Sequence, residues 1–353
     1  LKNIDSNKRA FGPFSLSIEQ LKPHLLISNM TEPEIVKAIK DMSAKFTTKR
    51  DHITDYVLDH RQVSAYASFY LPTNIPKLHF LLDKLPEAIL EDFQNRPFID
   101  MGAGPGTFSL GYKMLMDVGA HVEIIAVDTA QIMLDQATKL MNGFFPSSKF
   151  QAVRKFSEKK SNSILFFGHS INEMGIDKAQ DQIMTIDPEY VMWIEPGTSE
   201  FFHDIKKLRH QLLESYDVIY PCPGNAGCPS DWCHQVLRTS HDSSVERLSQ
   251  MVSLDRKILP MVGHVYKRKQ KVVVENGPIT IRFMNETKFS FEYEVCMQNE
   301  NLENRNVVIE IQKKQLSKIE EKAFKSANVG ERINFEIEKL VQDKLRVKLK
   351  REE

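Results

Sequence analysis

The chain has 353 residues, no formal net charge and an ordinary apolar content. That length suggests two or three units rather than one small domain. Zero net charge argues against a wholesale polyanion binder while leaving room for local basic patches. No run of about eighteen apolar residues occurs, so no transmembrane helix and no membrane partner are expected. No secretory leader is expected either, and the start at Leu1 rather than Met leans towards an imported, processed protein.

Residues 1–95 read as a mostly helical first domain. Ser17-Ile18-Glu19-Gln20-Leu21 opens an amphipathic segment, and Thr31-Glu32-Pro33-Glu34-Ile35-Val36 has the form of a capped helix start. The spacing predicts a helix over 51–71, with Ile53, Tyr56, Val57, His60, Val63 and Ala67 on one face. It is expected to stop at Tyr70-Leu71-Pro72, with a further helix over 76–92. Residues 96–220 form the second expected domain. Strand patterns at 98–100, 122–128, 163–168, 190–194 and 217–220 alternate with helical stretches such as 130–141 and 199–213. Such alternation predicts an α/β domain with a mostly parallel sheet. Residues 221–353 form the third. A rigid cysteine–proline loop leads into β-rich runs over 272–311 and a helical pattern over 316–327. A tail over 339–351 mixes Leu and Val with Lys and Arg, like an edge strand or an amphipathic arm.

The second domain is organised around Phe98-Ile99-Asp100-Met101-Gly102-Ala103-Gly104-Pro105-Gly106-Thr107. A short apolar run, a glycine turn and a helix start make a nucleotide-type binding corner. The pattern Asp100-x-Gly102-x-Gly104-x-Gly106 differs from the dinucleotide fingerprint G-x-G-x-x-G. It resembles motif I of class I S-adenosylmethionine-dependent methyltransferases. The next strand ends in Asp128, an acid placed to accept both ribose hydroxyls of a nucleoside cofactor. The run over 164–168 leads into His169-Ser170-Ile171-Asn172-Glu173-Met174. Ligands lie outside the carboxyl ends of such strands, so His169, Asn172 and Glu173 are expected to face cofactor or substrate. The candidate cofactor-binding set is therefore Asp100, Gly102, Gly104, Gly106, Thr107, Asp128, His169, Asn172 and Glu173. Glu195-Pro196-Gly197 follows the next strand and can close the pocket. The Asn/Asp-Pro-Pro-aromatic motif of amino-methylating enzymes is missing, so no catalytic residue is assigned.

Cys222, Cys228 and Cys233 share one loop and Cys296 lies far along the chain. In an intracellular protein such clustering points to metal more than to disulfides. Four thiolates can hold zinc or an iron–sulfur cluster. Zinc sites prefer closer pairs such as C-x2-C, and the longer gaps suit a bulkier cluster, but spacing alone leaves both open. His234 is an alternative ligand. Between Arg256 and Lys271 there are six basic residues and no acid. Arg256, Lys257, Lys267, Arg268, Lys269 and Lys271, with Arg238 beside the cysteine loop, can track a phosphate backbone. The plainer reading of such a run is a solvated face.

The combined pattern resembles the methyltransferase-like small-subunit ribosomal protein family of bacteria and mitochondria. The matching pieces, in family order, are Ser64-Ala65-Tyr66 with Tyr70-Leu71-Pro72, the glycine stretch, and His169-Ser170-Ile171-Asn172-Glu173-Met174. They continue with Ile194-Glu195-Pro196-Gly197-Thr198 and the cysteine loop from Pro221-Cys222-Pro223 through Cys228-Pro229 to Trp232-Cys233-His234. The resemblance implies a class I methyltransferase (Rossmann-like) sheet with an N-terminal helical region and a small C-terminal β-rich metal-cluster domain. It implies S-adenosylmethionine at Gly102, Gly104, Gly106 and Asp128. It also implies a [4Fe–4S] cluster on Cys222, Cys228, Cys233 and Cys296. The implied partners are small-subunit rRNA and ribosomal proteins, with the chain monomeric outside the ribosomal particle. The implied role is an assembly factor or component of the small subunit, in the mitochondrial matrix or alternatively a bacterial cytoplasm. An active rRNA methyltransferase is the alternative.

Overall fold

The computed structural model of the protein describes residues 14–48, 59–269, 276–325 and 329–350. These fall into two units. One contains the described residues up to Glu195 together with Thr239–Leu259, and the other Pro196–Arg238 and the described residues from Pro260 onward. This division does not coincide with the expected boundaries at 95/96 and 220/221. The N-terminal helices share a unit with the parallel sheet.

The first unit opens with α1 (Ile18–Leu21), where Ser17 and Gln20 form a capping box, and α2 (Glu32–Thr48). A second capping box, Asp59 with Gln62, starts α3 (His60–Asp83). This helix runs straight through Pro72 and Pro76, which corrects the expected stop at Tyr70-Leu71-Pro72. An interior proline costs about 3 kcal/mol. Phe69, Leu71, Ile75, Leu78 and Leu81 are all fully buried, and each buried side chain of this size contributes about 1.5–3 kcal/mol. Burial therefore outweighs local propensity. The chain breaks only before α4 (Glu87–Phe93), at Pro86. Of the face expected from residue 51, Ile53, Tyr56 and Val57 lie outside the described residues, Val63 and Ala67 are buried, and His60 is exposed.

The sheet of this unit contains β1 (Phe98–Met101), β2 (Ile124–Val127), β3 (Phe150–Val153), β4 (Ile164–Gly168) and β5 (Tyr190–Pro196). Their order is β3-β2-β1-β4-β5, and each adjacent pair is parallel. The central strands β1, β2 and β4 are almost wholly buried apolar runs, as parallel sheets require. The sheet-edge strand β3 was not expected, because its four residues are only half-buried and carry little apolar period. Helices α5 (Thr107–Met116) and α6 (Gln131–Phe144) follow β1 and β2, while α7 (Ile171–Met174) and α8 (Ile176–Ile186) lie between β4 and β5. The strand order reverses at β1, which puts the glycine turn at the topological switch point where such folds bind ligands. This is the expected class I methyltransferase-like α/β arrangement.

The second unit begins with α9 (Ser199–Leu212), β6 (Tyr216–Tyr220), the cysteine loop and β7 (Gln235–Arg238). The chain then visits the first unit as α10 (Ser243–Val252). It continues as β8 (Ile258–Arg268), which pairs antiparallel with β6. The C-terminal sheet is built from β9 (Ile279–Glu286), β10 (Ser290–Gln298) and β11 (Asn304–Gln312), then, after α11 (Lys318–Lys325), from β12 (Phe335–Val341) and β13 (Lys344–Leu349). Its order is β12-β13-β11-β10-β9. Phe291, Tyr293, Val295, Ile309, Ile311, Phe324 and Val347 form its core. The tail is thus two strands, with β12 at the edge and the basic β13 inside. Alternation explains the placement: Val347 faces the core, while Lys344 and Arg346 reach Glu292 and Glu310 at 2.6 and 2.8 Å.

Candidate functional site

The glycine turn needs glycine for two separate reasons. Gly102, Gly104 and Gly106 all have positive φ, at 74°, 54° and 81°, a region other L residues rarely adopt. A Cβ on Gly102 would also lie 2.4 Å from Ser170 Cβ, and one on Gly106 would lie 2.8 Å from Ala137 Cβ. A Cβ on Gly104 would meet nothing within 4 Å. Gly102 and Gly106 are close-packing positions, and Gly104 presents bare backbone to open space.

Two acids hold the turn. Asp128 Oδ2 accepts from Gly104 N at 2.8 Å, and its Oδ1 accepts from Ala130 N at 2.9 Å. Burial raises its carboxyl above the usual range despite these bonds. Each carboxylate oxygen keeps a second lone pair, so Asp128 can still accept from a ligand hydroxyl. Asp100 is fully buried, and its Oδ2 accepts from both Ser109 N and Ser109 Oγ at 2.8 Å. Burial pushes it up to about 7. Its visible role is to tie α5 to the end of β1, and Thr107, at the helix start, is buried as well.

The residues after β4 differ in burial and partners. His169 adopts a positive φ of 59°, and its Nε2 lies 2.9 Å from Lys77 Nζ of α3. Burial, reinforced by Arg256, drives both groups well below their ordinary pKa values, and the Lys77 charge adds to this at His169. Asn172 and Glu173 are exposed on α7. The Glu173 carboxyl is nonetheless pushed up to about 7 by desolvation and then by Asp128. The buried organiser is Glu195, whose Oε1 accepts from Ser170 N at 3.0 Å and Ile171 N at 2.8 Å. Burial raises it to about 8 against the lowering effect of these amides. Sequence reading missed Lys77, because α3 was cut at Pro72. The available signal was a lysine among Ile75, Leu78 and Leu81, on a stretch too apolar to leave it in water.

In the second unit Cys222, Cys228 and Cys296 all act on the Cys233 thiol. Burial and then the other cysteines raise Cys233 and Cys296. Among the described residues no group of three ligands closes to the spacing of a single metal ion. The loop is held from two sides. Arg209 of α9 donates from Nε to Cys222 Sγ at 3.2 Å and from Nη2 to Gly224 O at 3.2 Å and Ala226 O at 2.9 Å. Asn304 of β11 donates to the same two carbonyls at 3.1 and 3.0 Å. Cys296 on β10 pairs in register with Asn306, which donates to Ser230 Oγ of the loop at 3.0 Å. His234 stacks on Trp232 with ring centroids 4.3 Å apart.

The basic residues separate into two groups. Arg256 is not a surface cation, which corrects its assignment to a phosphate track. Its Nη2 donates to Asn74 Oδ1 at 2.8 Å, its Nε to Thr73 Oγ1 at 3.3 Å, and it lies over the Tyr70 ring. Lys257 is exposed but pairs with Glu246 at 3.1 Å. Lys267 and Arg268 are half-exposed at the end of β8, followed by exposed Lys269, and Arg238 is exposed at the end of β7. Lys271 lies outside the described residues. A cavity of about 380 Å³ lies beside α10, lined by residues such as His241, Ser249 and Leu254, and no candidate cofactor residue lines it.

A family profile described as mitochondrial small ribosomal subunit Rsm22 matches residues 60–330, which include both the glycine turn and all four cysteines. No curated protein sequence matches. Among solved structures, the chain is similar to a candidate RNA methyltransferase of Pyrococcus horikoshii, with 15% identity over 67% of this chain and 98% of that one, at a TM-score of 0.37. It is also similar to a candidate class I S-adenosylmethionine-dependent methyltransferase of Listeria monocytogenes, with 10% identity, 74% and 72% coverage and a TM-score of 0.39. A third is TYW2 of M. jannaschii in complex with AdoMet, with 11% identity, 56% and 77% coverage and a TM-score of 0.33. Likenesses this low leave the strand order itself as the basis of the fold assignment.

Proposed function

This chain belongs to the Rsm22 family, and we propose that it serves the mitochondrial small ribosomal subunit as an assembly factor or component that binds rRNA. One observation carries the reading. A single family match spans the glycine turn and the cysteine loop together, so the two features belong to one function. We assign the matrix as its compartment, small-subunit rRNA and ribosomal proteins as its partners, and a monomer as its state outside the particle.

S-adenosylmethionine fits the glycine turn. The bare backbone at Gly104 leaves room for a ligand, the start of α5 lies beside it, and Asp128 offers spare lone pairs to ribose hydroxyls. When bound, the cofactor supplies an activated methyl group. What the chain's own residues do there is bind and orient. Asp100 and Glu195 are engaged in holding backbone amides, and His169 is engaged with Lys77. These engagements support a binding role at the turn.

The cysteine group fits an iron–sulfur cluster. Cys222, Cys228 and Cys296 all act on the Cys233 thiol, so four soft donors are gathered in one place, the donor set that holds such a cluster. Cys222, Cys228 and Cys233 with Cys296 would hold it, joining the loop to β10. The cluster's role is structural, since metal binding stabilises the fold that provides the ligands. The rRNA contacts fall to Arg238, Lys267, Arg268 and Lys269, with Lys271 continuing the run.

The test is to follow small-subunit assembly and rRNA methylation in cells whose only copy carries Gly104→Ala. Failed assembly with every methyl mark intact is the expected result. Loss of one specific mark would make the chain an active rRNA methyltransferase instead.

A further inference from the structure

Arg209 is the unexplained residue of the second unit. It lies on the apolar face of α9 with Phe202, Ile205, Leu208 and Leu212, and it is only 2% exposed. A buried charge needs a compensating charge and satisfied hydrogen bonds. Among the described residues its hydrogen bonds go to Cys222 Sγ, Gly224 O and Ala226 O, and none goes to a carboxylate. The two carbonyls satisfy donors but carry no net charge. Among the described residues the acidic groups that act on its charge are the Cys222 and Cys228 thiols and the Tyr266 phenol, and of these only the Cys222 thiol accepts a hydrogen bond from it.

The surroundings are built to hold that geometry. Asn304 shares both carbonyls with Arg209. Lys206, one turn earlier on α9, donates to Ser230 O at 2.9 Å, so the helix grips the loop at both ends. A Cβ on Gly224 would lie 2.0 Å from Gln298 Nε2, which pins the loop against β10 two residues from Cys296.

We propose that Arg209 is the counter-ion and positioning residue of the cysteine group: its guanidinium offsets the negative charge of the four thiolates on a [4Fe–4S] cluster and aims Cys222 at the iron. This rests on the cluster reading above. A cluster held by four thiolates carries excess negative charge, and a fixed cation beside it favours electron uptake. The reduction potential is tuned by net charge and by hydrogen bonds to sulfur. Arg209 supplies both at Cys222.

The experiment uses the full chain purified anaerobically, with iron and sulfide measured first. The potential at which dithionite delivers one electron per cluster is then measured for wild type, Arg209→Gln and Arg209→Lys. Arg209→Gln is expected to disfavour reduction about tenfold, a drop of about 59 mV for a one-electron couple. Arg209→Lys, which keeps the charge, is expected to stay nearer wild type. An unchanged potential in an iron-loaded Arg209→Gln chain would overturn the assignment. Should Arg209→Gln fail to fold or load, iron retained by Arg209→Lys supports the charge requirement. Loss of iron from a still-folded Arg209→Lys chain overturns it in favour of packing. Wild-type chain without iron would overturn the cluster reading and this assignment together.

Discussion

Separate alanine substitutions at Gly102 and Gly104 distinguish a turn that only folds from one that receives a ligand. Both glycines hold positive φ, where an L residue costs about 1–2 kcal/mol. They differ in what the new methyl group meets. At Gly102 it would lie 2.4 Å from Ser170 Cβ. Ser170 cannot yield easily, because its Oγ donates to Met101 O at 2.6 Å and its N–H to Glu195 at 3.0 Å. Overpacking of this kind adds about 1–3 kcal/mol. At Gly104 there is no such neighbour. The expected losses are therefore about 2–5 kcal/mol for Gly102→Ala and about 1–2 kcal/mol for Gly104→Ala. Urea denaturation of the two full-length variants measures this difference. Calorimetric titration with S-adenosylmethionine then reads the site. Gly104→Ala is expected to stay folded yet bind at least about tenfold more weakly, a loss of about 1.4 kcal/mol, because the methyl group enters the space a ligand would use. Equal destabilisation by both substitutions, or undiminished binding to Gly104→Ala, would refute the reasoning.

Three further outcomes are expected. Glu195 ionises near 4.5 in an unfolded chain and at about 8 when folded, so between these values the folded state holds a proton that the unfolded state has released. Its contribution to stability accordingly falls as pH rises from about 4.5 to about 8. Glu195→Gln keeps an oxygen for the Ser170 and Ile171 amides and should remove that slope, so its advantage over wild type grows with pH; parallel urea midpoints for the two chains across this range would contradict it. Cys228→Ser should abolish bound iron in anaerobically purified protein and with it association with small-subunit particles on gradients, whereas normal assembly without iron would sink the structural role of the cluster. Finally, Lys269→Ala should weaken rRNA binding and flatten its dependence on salt by about 0.7–0.9 in the log–log slope if it makes one phosphate contact, while Arg256→Ala should chiefly lower stability, because its guanidinium is engaged with Thr73, Asn74 and Tyr70. A loss of salt dependence in Arg256→Ala with unchanged stability would reverse that distinction.

The parts legible in the sequence were those governed by local rules. Strand, glycine turn and helix follow one another at 98–116 because apolar run, positive-φ residues and helix formers are contiguous there. Asp128 was legible because an acid at a strand tip beside the turn has few other uses. Less legible were residues whose meaning depends on distant neighbours. Pro72 and Pro76 read locally as breaks, yet they sit inside a buried helix. Arg256 read as surface charge, yet it faces α3.

The residue sequence by itself determined the alternation of strands and helices, the three open conformations of the glycine turn and the grouping of three cysteines in one loop. Each depends on backbone chemistry within a few positions. Only the tertiary structure decided that Glu195 anchors the amides after β4, that Lys77 meets His169, and that Arg209 rather than an acid lies against Cys222. Those contacts join residues 13 to 92 positions apart. Burial sets their charge states, and burial is a property of the packed chain that no local pattern carries.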